Sequence, residues 1–254
     1  MAQALGRSLP LSLPRQLVCD LLHFARKTPA VSVSRRLRLE EVAAARAVAE
    51  PRPSWAALFT KGYALVAAGN ATLRRAYLGL PYPRLYEHPV NVAAVAVERL
   101  CGGEETTFLA PLPRPESLSL SEIDARLLHY HEAPVAEIAC FRRALRAGRW
   151  PRPLRLLAWF GLNWSGRLRA RAVGTFGLSV VPGLGPASHH PLSALSNTLN
   201  VGPVDEHGGA DVRLVCDPRV LTGGAAARAL AELERVLRQE MLTELRYCRG
   251  LEAA

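Results

Sequence analysis

Apolar positions recur with two periods along this chain. Between Leu13 and Ala25 they fall at Leu17, Leu21, Leu22 and Ala25, a helical spacing that stops before Pro29. Ala30–Leu39 alternates small or branched residues with polar ones, as a strand does. Leu39–Ala49 is helix-like and ends at Pro51-Arg52-Pro53, and Ser54 is placed to cap a long helix reaching Ala68. Leu73–Tyr86 is interrupted by prolines and is expected to be a loop. Val90–Glu98 and Thr106–Leu112 alternate as paired strands, with a turn at Cys101-Gly102-Gly103. Ser121–Tyr130 reads as a Ser-capped helix with early Glu122 and Asp124, and Pro134–Ala147 as a second helix. Phe176–Val181, Leu195–Val201 and Asp211–Cys216 read as strands, and Gly224–Arg246 as a C-terminal helix. Helices outside a mixed sheet make an α/β fold in two layers.

At 254 residues the chain is long enough to bury one substantial core. It divides into an arm at 1–13, a domain at 14–246 and a tail at 247–254. No apolar run reaches 18 residues, so no spanning helix is expected, and the first 15 residues lack the apolar core of a signal peptide. The five cysteines are widely spaced and form no C-x-x-C, which argues for a reducing, cytoplasmic setting and against a zinc site. Cys216 reads as a small buried hydrophobe rather than a nucleophile. The net charge is +10, and every basic residue except Lys27 and Lys61 is Arg. Such a surface suits nucleic acid, anionic lipid or an anionic cofactor. No helix-turn-helix, zinc-finger or RNA-binding signature accompanies the charge, so a nucleic-acid partner is not expected.

The most informative run is Asp217-Pro218-Arg219-Val220-Leu221-Thr222-Gly223. It resembles the D-H-R-x-x-D-G signature of the acyltransferase catalytic domain of 2-oxoacid dehydrogenase complexes, a fold shared with chloramphenicol acetyltransferase. Pro218 stands in the place of the His and Thr222 in the place of the second Asp. The flanks carry the same resemblance. Gly174-Thr175-Phe176-Gly177-Leu178-Ser179 resembles the family's G-T-F-T-I-S segment. The stretch from His88 through Val90-Asn91-Val92 to Val97 resembles its H-x-x-V-N-I-G-I-A-V strand, and Ser119-Leu120-Ser121-Glu122-Ile123 its S-L-x-E-I helix start. Thr60–Ala68 sits where the family has a K-A-x-A-x-A-L helix, and the resemblance spans residues 14–241.

The resemblance implies a chloramphenicol acetyltransferase-like α/β domain that forms a homotrimer with active sites between subunits. It implies coenzyme A, as acyl-CoA, for a substrate, and no metal. Acyl transfer needs a base, an oxyanion donor and a channel that aligns both substrates. The family's Ser donor corresponds to Ser179, and Asp217, Arg219 and Gly223 keep the neighbours of its base. The base itself is absent, because proline has no ionisable group. His189 and His190 follow the Ser179 strand and are candidates to replace it, with exposed loop histidines as the alternative. His88 is expected in packing or at the channel edge.

The segment 142–171 departs from the family. Its centre, Leu154–Trp164, is apolar and Trp-rich, and Arg142, Arg143, Arg146, Arg149 and Arg152 precede it while Arg167, Arg169 and Arg171 follow. Two readings stay open: a helix packed on its own sheet or a neighbouring subunit, or an interfacial helix on an anionic membrane surface, with a lipid acceptor. The arginines also suit the phosphates of coenzyme A. Three function classes follow. The first is an acyltransferase acting on a small-molecule or lipid acceptor. The second is a non-catalytic trimeric binding or assembly subunit, and the third is a peripheral membrane protein.

Overall fold

A computed structural model describes residues 11–26, 28–180 and 194–250. Six strands form one mixed sheet: β1 (Val31–Arg38), β4 (Val92–Cys101), β5 (Glu104–Pro113), β6 (Phe176–Val180), β7 (Asn197–Val204) and β8 (Gly209–Cys216). Their order is β1-β8-β7-β6-β4-β5. The central pairs β4/β6 and β6/β7 are parallel; β1/β8, β7/β8 and β4/β5 are antiparallel. The β4/β5 hairpin turns at Gly102 and Gly103, both with positive φ, the conformation glycine adopts without steric cost.

Helices cover both faces. On one lie α3 (Trp55–Gly69), α4 (Leu120–Glu132) and α8 (Gly223–Val236). They enclose a core that includes Phe59, Tyr63, Phe176, Leu214, Leu230 and Leu237. Each helix starts on a hydroxyl cap. Ser54 accepts from the Ala57 amide at 3.0 Å, and Ser119 forms a reciprocal capping box with Glu122. After α8 the chain passes through one π turn, Leu237–Met241, into α9 (Leu242–Gly250). The opposite face carries α6 (Arg152–Trp164) and α7 (Gly166–Val173), which pack through Trp159, Leu162 and Val173 onto Ala94 and Leu195. The first helix, α1 (Leu13–Ala25), packs on α5 (Ala139–Gly148), and α2 (Glu40–Ala47) leads back toward the C-terminal helix.

Two expectations need correction. Leu73–Tyr86 is not a loop: β2 (Arg75–Leu78) and β3 (Arg84–Glu87) pair as a separate antiparallel hairpin. Its prolines, Pro81 and Pro83, fall in the connection, where no ladder donor is needed. The second helix of the middle region begins at Ala139 rather than Pro134, because Pro134 opens a turn that Glu137 closes by donating to its carbonyl.

Candidate functional site

The Asp217 loop follows β8 and is built around one carboxylate. The Asp217 amide donates to the Ser196 carbonyl at 2.9 Å, and the Asp217 carbonyl accepts from the Val220 and Leu221 amides. Its side chain is 3% exposed and engages Arg219 at both oxygens: Nε to Oδ1 at 2.9 Å and Nη2 to Oδ2 at 2.7 Å. The Arg219 amide also donates to Oδ1 at 2.9 Å. This bonding raises the Arg219 pKa, and its guanidinium carbon lies 3.9 Å from the Tyr77 ring centre. Asp217 and Arg219 are therefore a structural frame for the loop. Pro218 lies at its exposed crest.

Thr222 has a definite structural job. It is the N-cap of α8, and its hydroxyl accepts from the Ala225 amide at 3.3 Å. Gly223 is the first helical residue, and a side chain there would meet nothing within 4 Å. Cys216 is 1% exposed; its thiol donates to the Leu221 carbonyl at 3.6 Å, and burial pushes its pKa up, as a structural cysteine requires.

A second arginine enters this region. Arg169, on α7, is 8% exposed and donates to the carbonyls of Tyr77 (3.2 Å) and Ala194. Burial lowers its pKa to about 10, Asp217 opposes that shift and Arg219 adds to it. Arg169 lies in sequence among the exposed arginines that flank the Trp-rich segment, yet it belongs to the interior. Gly166, Arg169 and Val173 share the buried face of α7, which tertiary packing selects. Next to it, His88 is 2% exposed, stacks edge-on to Tyr86 with ring centres 5.0 Å apart, and leaves Nδ1 without a hydrogen bond. Burial, then Arg169, lower its pKa to about 4, so it packs as a neutral ring. The cavity beside Arg169, lined by Phe24, Trp159, Leu162, Asn163 and Val173, holds about 20 Å³, space for one water.

Ser179 sits on β6, half-buried. Phe176 and Leu178 face the core and Val180 packs against it, so Ser179 projects to the other face with Gly177. It pairs with Asn200 of β7, whereas the Asp217 loop is level with Ser196. Four residues of strand, ~13 Å, and the width of β7 thus separate Ser179 from Asp217 within one chain. His189 and His190 lie outside the described residues.

No protein-family model and no curated protein matches the chain. Solved structures do. A probable dihydrolipoamide acetyltransferase from Listeria monocytogenes superposes with a TM-score of 0.66 at 13% identity, over 92% of this chain and 95% of that one. The dihydrolipoamide acetyltransferase of Azotobacter vinelandii gives 0.66 at 17% identity, over 92% of each chain. A chloramphenicol acetyltransferase gives 0.52 at 14% identity, over 86% of this chain and 94% of that one. At such identities the likeness is one of architecture: this chain has the fold of dihydrolipoamide acetyltransferase catalytic domains and of chloramphenicol acetyltransferase.

Proposed function

We propose that this chain is an acyltransferase that moves an acyl group from acyl-coenzyme A to an acceptor, working between subunits of a trimer. The observation that carries the reading is the Asp217–Arg219 frame and its capped helix at the end of β8, on a chain with the fold of dihydrolipoamide acetyltransferase catalytic domains. The separation of Ser179 from that loop within one chain supports a shared site, because a second subunit is needed to bring the two together.

In the reaction the acceptor attacks the thioester carbonyl, and the Ser179 hydroxyl donates to the oxyanion that forms. The carbon–sulfur bond then breaks, the acyl group stays on the acceptor, and the acceptor's proton passes to the departing thiolate. Pro218 cannot carry that proton. In the Azotobacter vinelandii enzyme a serine, and a histidine and an asparagine four residues apart, have been examined for their role in the catalytic mechanism. Pro218 and Thr222 have that spacing here. The missing base favours slow turnover, with His189 or His190 as its substitute, and it equally supports a trimeric binding subunit without catalysis.

Thiol release from acetyl-coenzyme A separates the two, measured alongside binding. Turnover by the parent that Ser179→Ala abolishes establishes catalysis and directs attention to His189 and His190. Binding without turnover, with activity appearing in Pro218→His or Pro218→His/Thr222→Asp, identifies an acyltransferase that has lost its base; the expected gain is ~100-fold or more. Neither binding nor turnover in any variant leaves the non-catalytic subunit.

A further inference from the structure

The charge of this protein is concentrated in one stretch. Between Glu137 and Asp205 there are nine arginines and no Asp or Glu. The remaining 23 basic residues (32 less these nine) nearly balance the 22 acidic ones, so this stretch carries almost the entire net charge of +10. Two of the nine are used internally: Arg155 pairs with buried Asp20, and Arg169 is interior. The other seven, Arg142, Arg143, Arg146, Arg149, Arg152, Arg167 and Arg171, are exposed and form no ion pair among the described residues.

Along the chain those arginines bracket an apolar ridge. Helix α6 is rich in Leu, Phe and Trp, yet no residue of it is fully buried. Its inner side is engaged: Trp159 stacks on Phe24 at 5.2 Å, Leu162 joins the small core beneath, and Arg155 reaches Asp20. Its outer side presents Leu154, Leu157, Phe160 and Trp164, which are 46–63% exposed. Trp150 before it and Leu168 after it, 49% and 52% exposed, extend the ridge. On α7, Arg167 and Arg171 share a face beside Leu168. The helix has 13 residues, ~20 Å long, too short to cross a bilayer but long enough to lie along one.

We infer that this ridge docks on an anionic lipid bilayer, with the α6 leucines and aromatics at the acyl boundary and the seven arginines among the headgroups. Charge complementarity selects the occupant. A second copy of the ridge would bring its flanking arginines against like charges, whereas a leaflet of negative headgroups neutralises them while the apolar side chains leave water. The inference is independent of acyl transfer, and its failure would leave that reading untouched.

Co-sedimentation of the full chain with vesicles tests it, using phosphatidylcholine alone and three parts phosphatidylcholine to one part phosphatidylglycerol. The protein should pellet with the anionic vesicles at least ~10-fold more strongly than with the neutral ones, and salt should release it. Leu154→Glu/Leu157→Glu should cut that partition ~10-fold or more at unchanged assembly mass. Vesicles with brominated acyl chains should quench the parent's tryptophan fluorescence, a readout that needs no variant. Absence of pelleting, absence of quenching, or pelleting unaffected by the double substitution each overturns the proposal. So does a change of assembly mass in the variant, which would make the ridge a contact between copies.

Discussion

Asp217 holds Arg219, two residues ahead of it, through both carboxylate oxygens, and the pair is lopsided: the acid is 3% exposed and the base 35%. Removing the arginine strands a buried anion, whereas removing the acid frees a cation that water can reach. Arg219→Leu is therefore expected to cost about 2 kcal/mol, below the range for a fully buried pair because the guanidinium is partly solvated. Arg219→Lys should recover less than half of that, since it loses the two-pronged geometry and the stacking on Tyr77. Urea unfolding of the three proteins decides; equal stabilities would refute the frame.

Thr222 separates a structural from a chemical requirement at the second altered motif position. As N-cap of α8 its loss in Thr222→Ala should cost about 1 kcal/mol. Thr222→Asp should match or slightly exceed the parent, because a carboxylate caps equally well and favours the positive helix end. Denaturant midpoints measure both, and a destabilising Asp would contradict the cap.

His88 gives stability a pH dependence of known sign. Its folded pKa of about 4 lies below the ordinary 6.5. Above pH 6.5 the ring is neutral in both states, so its contribution is complete there. As pH falls toward 4 the unfolded chain takes up a proton that the folded one refuses, and stability declines until the folded pKa is passed. The full span is about 3 kcal/mol. His88→Leu should remove this component, so the parent's advantage over the variant must shrink between pH 7 and pH 4 in urea titrations. A difference independent of pH would exclude a buried neutral imidazole.

Gly166 is the point where α7 passes over Tyr86. A Cβ there would stand 2.1 Å from the ring. Gly166→Ala is expected to cost about 2–3 kcal/mol through displacement of Tyr86 and its stack on His88. Thermal unfolding tests this; the same substitution at Gly161, where nothing lies within 4 Å, should not destabilise.

The sequence was legible where one period dominates. The cap at Ser54, the β4/β5 turn and the three strands after Gly174 could all be placed from local pattern, whereas the helix expected from Ser121 begins at Leu120 on a Ser119 cap. The β2/β3 hairpin could not, because four-residue strands are too short to display alternation and Pro81 and Pro83 mask them. At the motif, the resemblance implies that Asp217 and Arg219 flank the place of a base, which the sequence alone does not turn into a loop frame, and it treats Thr222 as an absent carboxylate although threonine is an ordinary cap. Arg169 alternates in sequence with exposed Arg167 and Arg171, and only tertiary packing distinguishes it from them. Helix α6 shows the converse: its apolar run resembles a core helix, and only its position reveals which side faces out.

The two borders of the six-stranded sheet are closed by chemistry rather than by length. On β5, Pro111 offers no amide, and its carbonyl accepts the Tyr130 hydroxyl at 3.0 Å. On β1, the Arg38 amide is taken by the Glu234 carboxylate at 3.0 Å, and Arg35 and Arg36 crowd the same margin with charge. A seventh strand from another molecule would find its template broken at each border. Copies of this protein are thereby steered away from joining this sheet edge to edge into filaments.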